Sequence, residues 1–557
     1  MNSLIIHNDN IIDIKLFTAE IKYPPIDDTD RNISENIVTK IPNNTDIIFI
    51  KDNLSSNYLE LLGLRVAYHI RLSKELETKR YLPIVIISDL DACLLNKLDM
   101  MAKILFTKNI FLIANTQKAI ENSKMFHFTH LSLEEYQTDF LKKIAVEQPK
   151  DYLSHHGIAN EWSMYRWAKY LDVQTTDIAQ IKNDISSMLY FKYLQEKFPI
   201  QKSLFTKHKQ KLHESGKVLY IDDEWEKGWK SIFEHIFKEV DSCHLQTVET
   251  TYKDKKQEEI ITLIMADIIS FNPDVIILDM RLHEDDFLKD TKLIDFTGIQ
   301  IFNKIKEFNP GIQIVIFTAS SNSLLLDELY NYDSNILGYV KKEHLQNYNL
   351  TTQSNINKLI KLVNRGLAEK YLKDIYDIQK NMLKILKNDI FHQYTLHKTK
   401  YEKYWIQLQE DIPQIFDILS SNTSNKYPYA MLSIARSLEA ILSVFITERQ
   451  IDNIYWDGEE CRSKKFEDRI ISLMHKFGYK IENINSFIVR RNNYVHSNTR
   501  YKAISKNEIM QWFQTLFTII KIIEKPPHYI PYAPKKVKPL HQRETIITKS
   551  GIRKKVQ

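Results

Sequence analysis

The sequence predicts a mixed architecture: α/β followed by all-α, with two doubly wound parallel-sheet domains, helical connectors and a C-terminal helical bundle. Three observations predict it. Short β-branched runs alternate with amphipathic segments over residues 1–150 and again over 217–345. Residues 151–215 carry helical spacing without strand signals. From Asn355 onward, apolar residues recur almost wholly at helical spacing. The 557 residues are too many for one core, and 43% hydrophobic with 26% charged residues is an ordinary folded composition.

In the first domain, Leu4–Ile6, Asp46–Ile50, Pro83–Ser88 and Asn109–Ala114 have the length of buried strands. Amphipathic segments such as Tyr58–Leu76 lie between them. The connector at 151–215 holds the aromatic-rich helical segment Trp162–Tyr170. In the second domain, Val218–Ile221, Val275–Leu278, Ile314–Phe317 and Ile336–Val340 read as strands. Ile260–Phe271 and Thr297–Phe308 read as helices, and Asn309-Pro310-Gly311 as a turn. Asn355–Leu386 is one long helix or two, and 428–448, 464–477, 483–497 and 506–524 form the bundle. The expected divisions are 1–150, 151–215, 216–347, 348–427 (a helical linker), 428–525 and 526–557.

Several function classes are excluded or disfavoured. The 11 glycines form no GxGxxG or GxxxxGK[ST] phosphate cradle. Cys93, Cys243 and Cys461 are too scattered for a zinc site or a disulfide framework. There is no secretory leader pattern and no apolar run of about 20 residues. A cytoplasmic protein without a membrane partner is expected. The net charge is +5, but the segment from Lys525 to Gln557 carries nine basic residues against one acid, Glu544. With five prolines it reads as an extended basic arm, serving either solubility or contact with nucleic acid.

Chemistry-bearing residues stand at successive strand ends of the second domain. Asp222 and Asp223 follow the first strand in VLYIDDE, Asp279 ends DVIILDMRL, Thr318 ends IVIFTAS, and Lys342 follows GYVK. A doubly wound sheet gathers such ends into one crevice. Three close carboxylates call for a cation, and an oxygen-only ligand set suits Mg2+. Asp279 could then act as a carboxylate nucleophile towards a phosphoryl donor. Lys342 would balance the transferred charge, Thr318 would bind a phosphoryl oxygen, and Arg281 would offer its carbonyl to the metal. Spacing from Gly338-Tyr339 favours Lys342, with Lys341 the alternative.

This segment resembles the receiver domain of two-component response regulators, whose fold is flavodoxin-like. The resemblance implies an aspartyl-phosphate at Asp279, Mg2+ held by Asp222, Asp223 and Asp279, and a switch through Thr318 with Tyr339 as its aromatic partner. The implied partner is a sensor histidine kinase or phosphotransfer protein. Two departures stand out: Glu343 replaces the family's proline, and His283–Phe296 enlarges the loop after Asp279, with Glu284, Asp285 and Asp286 in it. The first domain resembles a degenerate copy. DIIFIKDNL aligns with DVIILDMRL, which puts Lys51 at the nucleophile position with Asp52 after it and Ser88 at the threonine position. Its first strand ends His7-Asn8-Asp9, and no lysine follows Ala114 at the family spacing. It is expected to do no phosphoryl chemistry and to serve packing, dimerisation or docking.

Near the C-terminus, IVRRNNYVHSN places Asn492 and His496 on one helix face, with Arg491 flanking and Arg490 as an alternative spacing. Histidine and arginine without a metal suit RNA cleavage: the histidine moves the proton of a 2′-hydroxyl or leaving oxygen, and the arginine clamps the phosphate. The RNNYVH motif resembles that of HEPN domains, and ARSLEAILSVF (435–445, with Glu439) and KKFEDRIISLM (464–474) resemble neighbouring HEPN helices. The resemblance implies a helical bundle, a homodimer with a composite site, and metal-independent endoribonuclease activity on an RNA substrate. Arg491, His496 and Asn492 are the expected site residues, Glu439 a weaker one. The combined expectation is a phosphorylation-controlled ribonuclease in bacterial stress or antiphage signalling. The alternative is a non-catalytic response regulator with a phospho-dependent helical docking module. A DNA-binding regulator is a third reading, but no helix-turn-helix is evident.

Overall fold

The computed structural model describes residues 2–8, 14–25, 29–57, 59–149, 155–200, 211–238, 242–288, 291–319, 336–342, 352–394, 398–450, 453–456, 459–461, 466–481, 484–496 and 503–527. The chain divides into two compact units, the first comprising 1–308 and 312–370, the second 309–311 and 371–557.

The first unit contains two parallel sheets. One is built from β1 (Ser3–His7), β2 (Ala19–Lys22), β3 (Ile47–Lys51), β4 (Ile84–Ser88) and β5 (Ile110–Ala114), in the order β2-β1-β3-β4-β5. The other is built from β6 (Gly216–Ile221), β7 (Cys243–Thr247), β8 (Val275–Leu278), β9 (Gln313–Thr318) and β10 (Ile336–Lys341), in the order β10-β9-β8-β6-β7. Numbered within each domain, both read 2-1-3-4-5, the flavodoxin-like order. β1, β3 and β4 are buried along their whole length, and so is β8. Helices therefore cover both faces, which is why these strands read as continuous apolar runs.

The sequence expected neither β2 nor β7. Both are edge strands, AEIK and CHLQT, and their residues alternate between buried and exposed or half-exposed environments. Neither contains the apolar run that marks an interior strand.

Three helices, His155–Leu171, Thr176–Ser187 and Leu189–Lys197, fill the segment between the sheets. Trp162, Trp167 and Ile178 share a core with Val218, Tyr220 and Phe317 of the second sheet, while Leu189 joins the core of the first. Helix Thr352–Ala368 buries Ile356, Leu359, Val363 and Leu367 in that same second-sheet core. It therefore packs with the second α/β domain, a correction to the expected linker beginning at 348.

The second unit holds helices Tyr371–Leu386, Lys398–Ser420, Lys426–Phe445, Phe466–Lys476, Ile484–Val495 and Lys506–Glu524. Residues from all six share one core, including Met382, Ile412, Ile434, Met474, Phe487 and Phe513. Helices Tyr371–Leu386 and Lys398–Ser420 are thus part of this bundle's core rather than a linker. One further correction concerns β11 (Ile446–Gln450), β12 (Asn453–Trp456) and β13 (Glu459–Cys461), which form an antiparallel sheet where the sequence expected helix up to 448 and then none. The local signal was present: β-branched and aromatic residues, with an Asp-Gly pair at 457–458.

Candidate functional site

The strand order reverses at β6 and β8, so the crevice opens beyond their carboxyl ends. Asp222 follows β6 and Asp279 follows β8, and the ligand atoms of Asp222, Asp223 and Asp279 all lie within 4.8 Å of one another. Lys342, buried beyond β10, donates to Asp222 Oδ2 at 2.8 Å and to Asp279 Oδ2 at 2.6 Å. It is Lys342, not Lys341, that stands in the pocket. Lys341 pairs in register with Thr318 along the sheet, and the Lys342 N–H donates to the Thr318 carbonyl at 2.7 Å.

The surroundings hold these charges in place. The Tyr220 hydroxyl donates to Asp222 Oδ2 at 2.7 Å, and the Glu224 N–H donates to Asp222 Oδ1 at 2.9 Å. Asp279 Oδ1 accepts from the Met280 N–H at 2.6 Å and more weakly from the Arg281 N–H at 3.4 Å. The Lys342 ammonium lies over the rings of Phe317 and Trp229, at 5.2 and 5.7 Å. Trp229 is fixed in turn by Trp167 and by the Asn160 side chain, which accepts its indole N–H at 2.7 Å. Thr318 is fully buried at the end of β9.

Electrostatics show a pocket short of positive charge. Burial raises the Asp222 pKa above the usual carboxylate value; Lys342 opposes this and Asp279 adds to it. Burial, then the Asp222, Glu224 and Asp279 charges, push Asp223 well above it. Burial alone would lower the Lys342 pKa, but the Asp222 and Asp279 charges outweigh it and keep the ammonium protonated. Three carboxylates face one ammonium. An all-oxygen donor set with this excess of negative charge fits a hard divalent cation such as Mg2+.

The remaining predicted residues fall as follows. Arg281 follows the pocket immediately in sequence, and its guanidinium is packed over Phe296 and Phe287, at 4.9 and 5.5 Å. Tyr339 is half-buried on β10, with the Lys358 ammonium 4.1 Å above its ring. Glu343 lies outside the described residues, as does all of the basic arm beyond 527.

The enlarged loop has an internal anchor that the sequence did not reveal. Asp286 is buried, and it accepts from the N–H groups of Leu282, His283 and Thr297 at 2.8, 3.0 and 3.0 Å, and from the Thr297 hydroxyl at 3.1 Å. It organises the loop instead of adding a fourth carboxylate to the pocket. Gly298 was also missed. A Cβ there would lie 2.3 Å from the Asp279 carbonyl, so only glycine lets helix Thr297–Phe308 start this close to the site.

The first domain repeats the frame with other chemistry. A Cβ on Gly63 would meet the Lys51 carbonyl at 2.1 Å, the counterpart of Gly298 against Asp279. Lys51 therefore occupies the nucleophile position. Its buried ammonium pairs with Asp52 at 2.9 Å and with Asp89 at 3.5 Å, and the Ser88 hydroxyl donates to Asp52. His7, at the end of β1, faces Glu20 at 3.4 Å. An ammonium cannot accept a phosphoryl group, and here it already neutralises the neighbouring carboxylate.

In the helical unit, Arg491 and Asn492 lie on helix Ile484–Val495, and His496 follows at its end. Arg491 donates to Glu439 at 3.1 Å and to the Asn492 side-chain oxygen at 3.1 Å. His496 is exposed, its N–H donating to the Asn492 carbonyl at 3.0 Å. Arg490 is committed elsewhere, forming a two-pronged pair with Glu508 at 2.8 and 3.0 Å that holds the Glu508 pKa down at about 2. The structure thus brings together Arg491, Asn492 and Glu439, with His496 one helical turn on from Asn492.

Residues 2–113 match the family described as Inactive Receiver domain, which covers the Lys51 site. Among solved structures, NtrX from Brucella abortus shares 14% identity over 32% of this chain and 35% of its own, with a TM-score of 0.21. The match thus spans about a third of that protein. No curated protein matches the chain. Residues 2–113 are thus similar to inactive receiver domains, and the second sheet, which carries the carboxylate cluster, repeats the flavodoxin-like topology of the first.

Proposed function

We propose that the chain is a phosphorylation-controlled effector in which only the second α/β domain takes part in phosphoryl chemistry. The observation that carries this is the buried cluster of Asp222, Asp223 and Asp279 bridged by Lys342. The Asp279 carboxylate attacks the phosphorus of a phosphohistidine on a sensor kinase or phosphotransfer protein. The bond from phosphorus to the donor nitrogen breaks as the new bond to Asp279 forms. Lys342 balances charge on the transferred group, and the Thr318 hydroxyl donates to one of its oxygens. Mg2+ on Asp222, Asp223 and Asp279 would supply further charge neutralisation at the phosphoryl oxygens. Incubation with acetyl phosphate and Mg2+ should add one phosphoryl mass to the parent chain and none to Asp279→Asn. A parent that gains none sinks this reading.

The proposed output is metal-independent RNA cleavage by the helical unit acting as a dimer. His496 would take the proton of a 2′-hydroxyl, whose oxygen attacks phosphorus and displaces the 5′-oxygen, while Arg491 binds the phosphate. The exposure of His496 beside the Arg491–Asn492–Glu439 cluster supports it. The Arg491–Glu439 pair also favours a second reading, because that guanidinium is already partnered by a carboxylate. In this reading the bundle is a phospho-dependent docking module without catalysis. RNA cleavage by the parent that is lost in His496→Ala supports the enzyme, and no cleavage by the parent supports the docking module.

A further inference from the structure

Tyr252 is 7% exposed, and its hydroxyl has no hydrogen-bond partner among the described residues. Burying a hydroxyl without a partner costs about 1–3 kcal/mol, so such groups are rare unless something else satisfies them. The ring belongs to the core cluster of Ile221, Leu278 and Met280, the residues flanking the pocket carboxylates. Burial raises the hydroxyl's pKa, and the charges of Asp222, Asp223 and Asp267 add to the rise. The Val248 N–H, at the start of the segment carrying Tyr252, donates to the Tyr220 carbonyl at 2.9 Å, which sets that segment beside the end of β6, next to Asp222 and Asp223.

The segment carrying it is held in place. The His283 ring accepts the Asp285 N–H on Nδ1 at 3.2 Å, leaving Nε2–H to donate to the Lys255 carbonyl at 3.1 Å. Gln257 donates to the Asp295 carbonyl at 2.8 Å and to the Thr297 hydroxyl at 3.0 Å. The enlarged loop after Asp279 is thereby laced to the segment between β7 and helix Gln257–Phe271. That lacing holds the segment from Val248 to Gln257, which carries Tyr252, against the loop that follows Asp279.

We propose that Tyr252 is a positioning residue of this pocket, its phenolic oxygen accepting a hydrogen bond from the hydration shell of the divalent cation. Mg2+ keeps several of its waters when carboxylates bind it, and groups that hold such outer contacts typically tune affinity 10- to 100-fold. The inference rests on the cation pocket proposed above and deepens it. It gives the enlarged loop a task, namely to hold the segment that completes the cation's surroundings.

The test is Mg2+ titration of the full chain by calorimetry, with Tm read without Mg2+. Parent, Tyr252→Phe and Asp223→Asn are compared. Tyr252→Phe should bind Mg2+ about 10-fold more weakly. Its Tm without Mg2+ should equal or exceed the parent's, because only an unsatisfied hydroxyl is lost. Asp223→Asn should show no saturable binding. Equal affinity in parent and Tyr252→Phe overturns the inference alone. A Tyr252→Phe chain that is destabilised or unfolded without Mg2+ overturns it too, since the hydroxyl would then be holding the fold. A parent without saturable binding overturns the cation pocket and this inference together.

Discussion

Lys342 and the carboxylates it bridges make the pocket sensitive to both substitution and pH. Asp222 and Asp223 have pKa values raised by burial, so the folded domain holds protons that the unfolded chain releases. By linkage their contribution to stability falls as pH rises from the ordinary carboxylate value through the raised one. Without Mg2+, Asp223→Asn should therefore be more stable than the parent by a margin that grows with pH. Saturating Mg2+ should abolish that margin, and thermal melts across pH with and without the ion would show it. A margin independent of pH would contradict the raised values. Asp222, Asp223, Asp279, Thr318 and Lys342 were all legible in the sequence because each closes or follows an apolar strand. Tyr220 and Asp286 were not. Their roles depend on partners brought close by the fold, and a lone tyrosine or loop aspartate carries no spacing signal.

Two glycines mark where helices meet strand ends. Gly298 lets helix Thr297–Phe308 approach the Asp279 carbonyl, and Gly63 lets helix Leu62–Leu72 approach that of Lys51. Gly298→Ala should push the helix start away from the site. The expected cost is on the order of 2 kcal/mol of stability, with slower phosphoryl uptake at Asp279 measured by mass spectrometry. Unchanged uptake would separate that packing from the chemistry. Asp286→Ala should cost on the order of 3 kcal/mol in a denaturant melt, because it strands three backbone N–H groups and a hydroxyl. Interior strands were legible as elements, while the edge strands β2 and β7 were not. A strand with one wet face spreads its apolar residues too thinly to stand out from a loop.

Within the first unit, a buried polar network fastens the connector to the first α/β domain. Asp30 accepts from Arg65 at 2.6 Å, from His69 at 2.9 Å and from the Leu189 N–H at 2.9 Å. Lys192 donates to Ser73 at 2.6 Å and to Ser34 at 3.1 Å. Burial lowers the His69 pKa to about 4, against the pull of Asp30, so the ring is neutral at neutral pH. The unfolded chain then binds more protons than the folded one between about 6.5 and 4, and the His69 contribution is lost as pH falls through that range. The protection factor of the Leu189 amide, its exchange rate corrected for the intrinsic pH dependence, should fall over this window and should be less pH-dependent in His69→Gln. Among the described residues, no helix is long and apolar enough to cross a membrane. Activity of the entire chain is where the proposed coupling is read. If phosphorylation controls RNA cleavage, acetyl phosphate should change the parent's cleavage rate and leave that of Asp279→Asn unchanged. The amino-acid order alone determined the two parallel sheets, the acid–threonine–lysine series of the second domain and the lysine substitution in the first. Buried strands and the residues that end them are local patterns. Tertiary structure alone decided that Lys342 bridges two carboxylates 120 and 63 residues away, that helix Thr352–Ala368 packs on the second sheet, and that Tyr252 shares a core with Ile221 and Leu278. Those outcomes depend on which apolar faces bury one another, and no short stretch of chain encodes that choice.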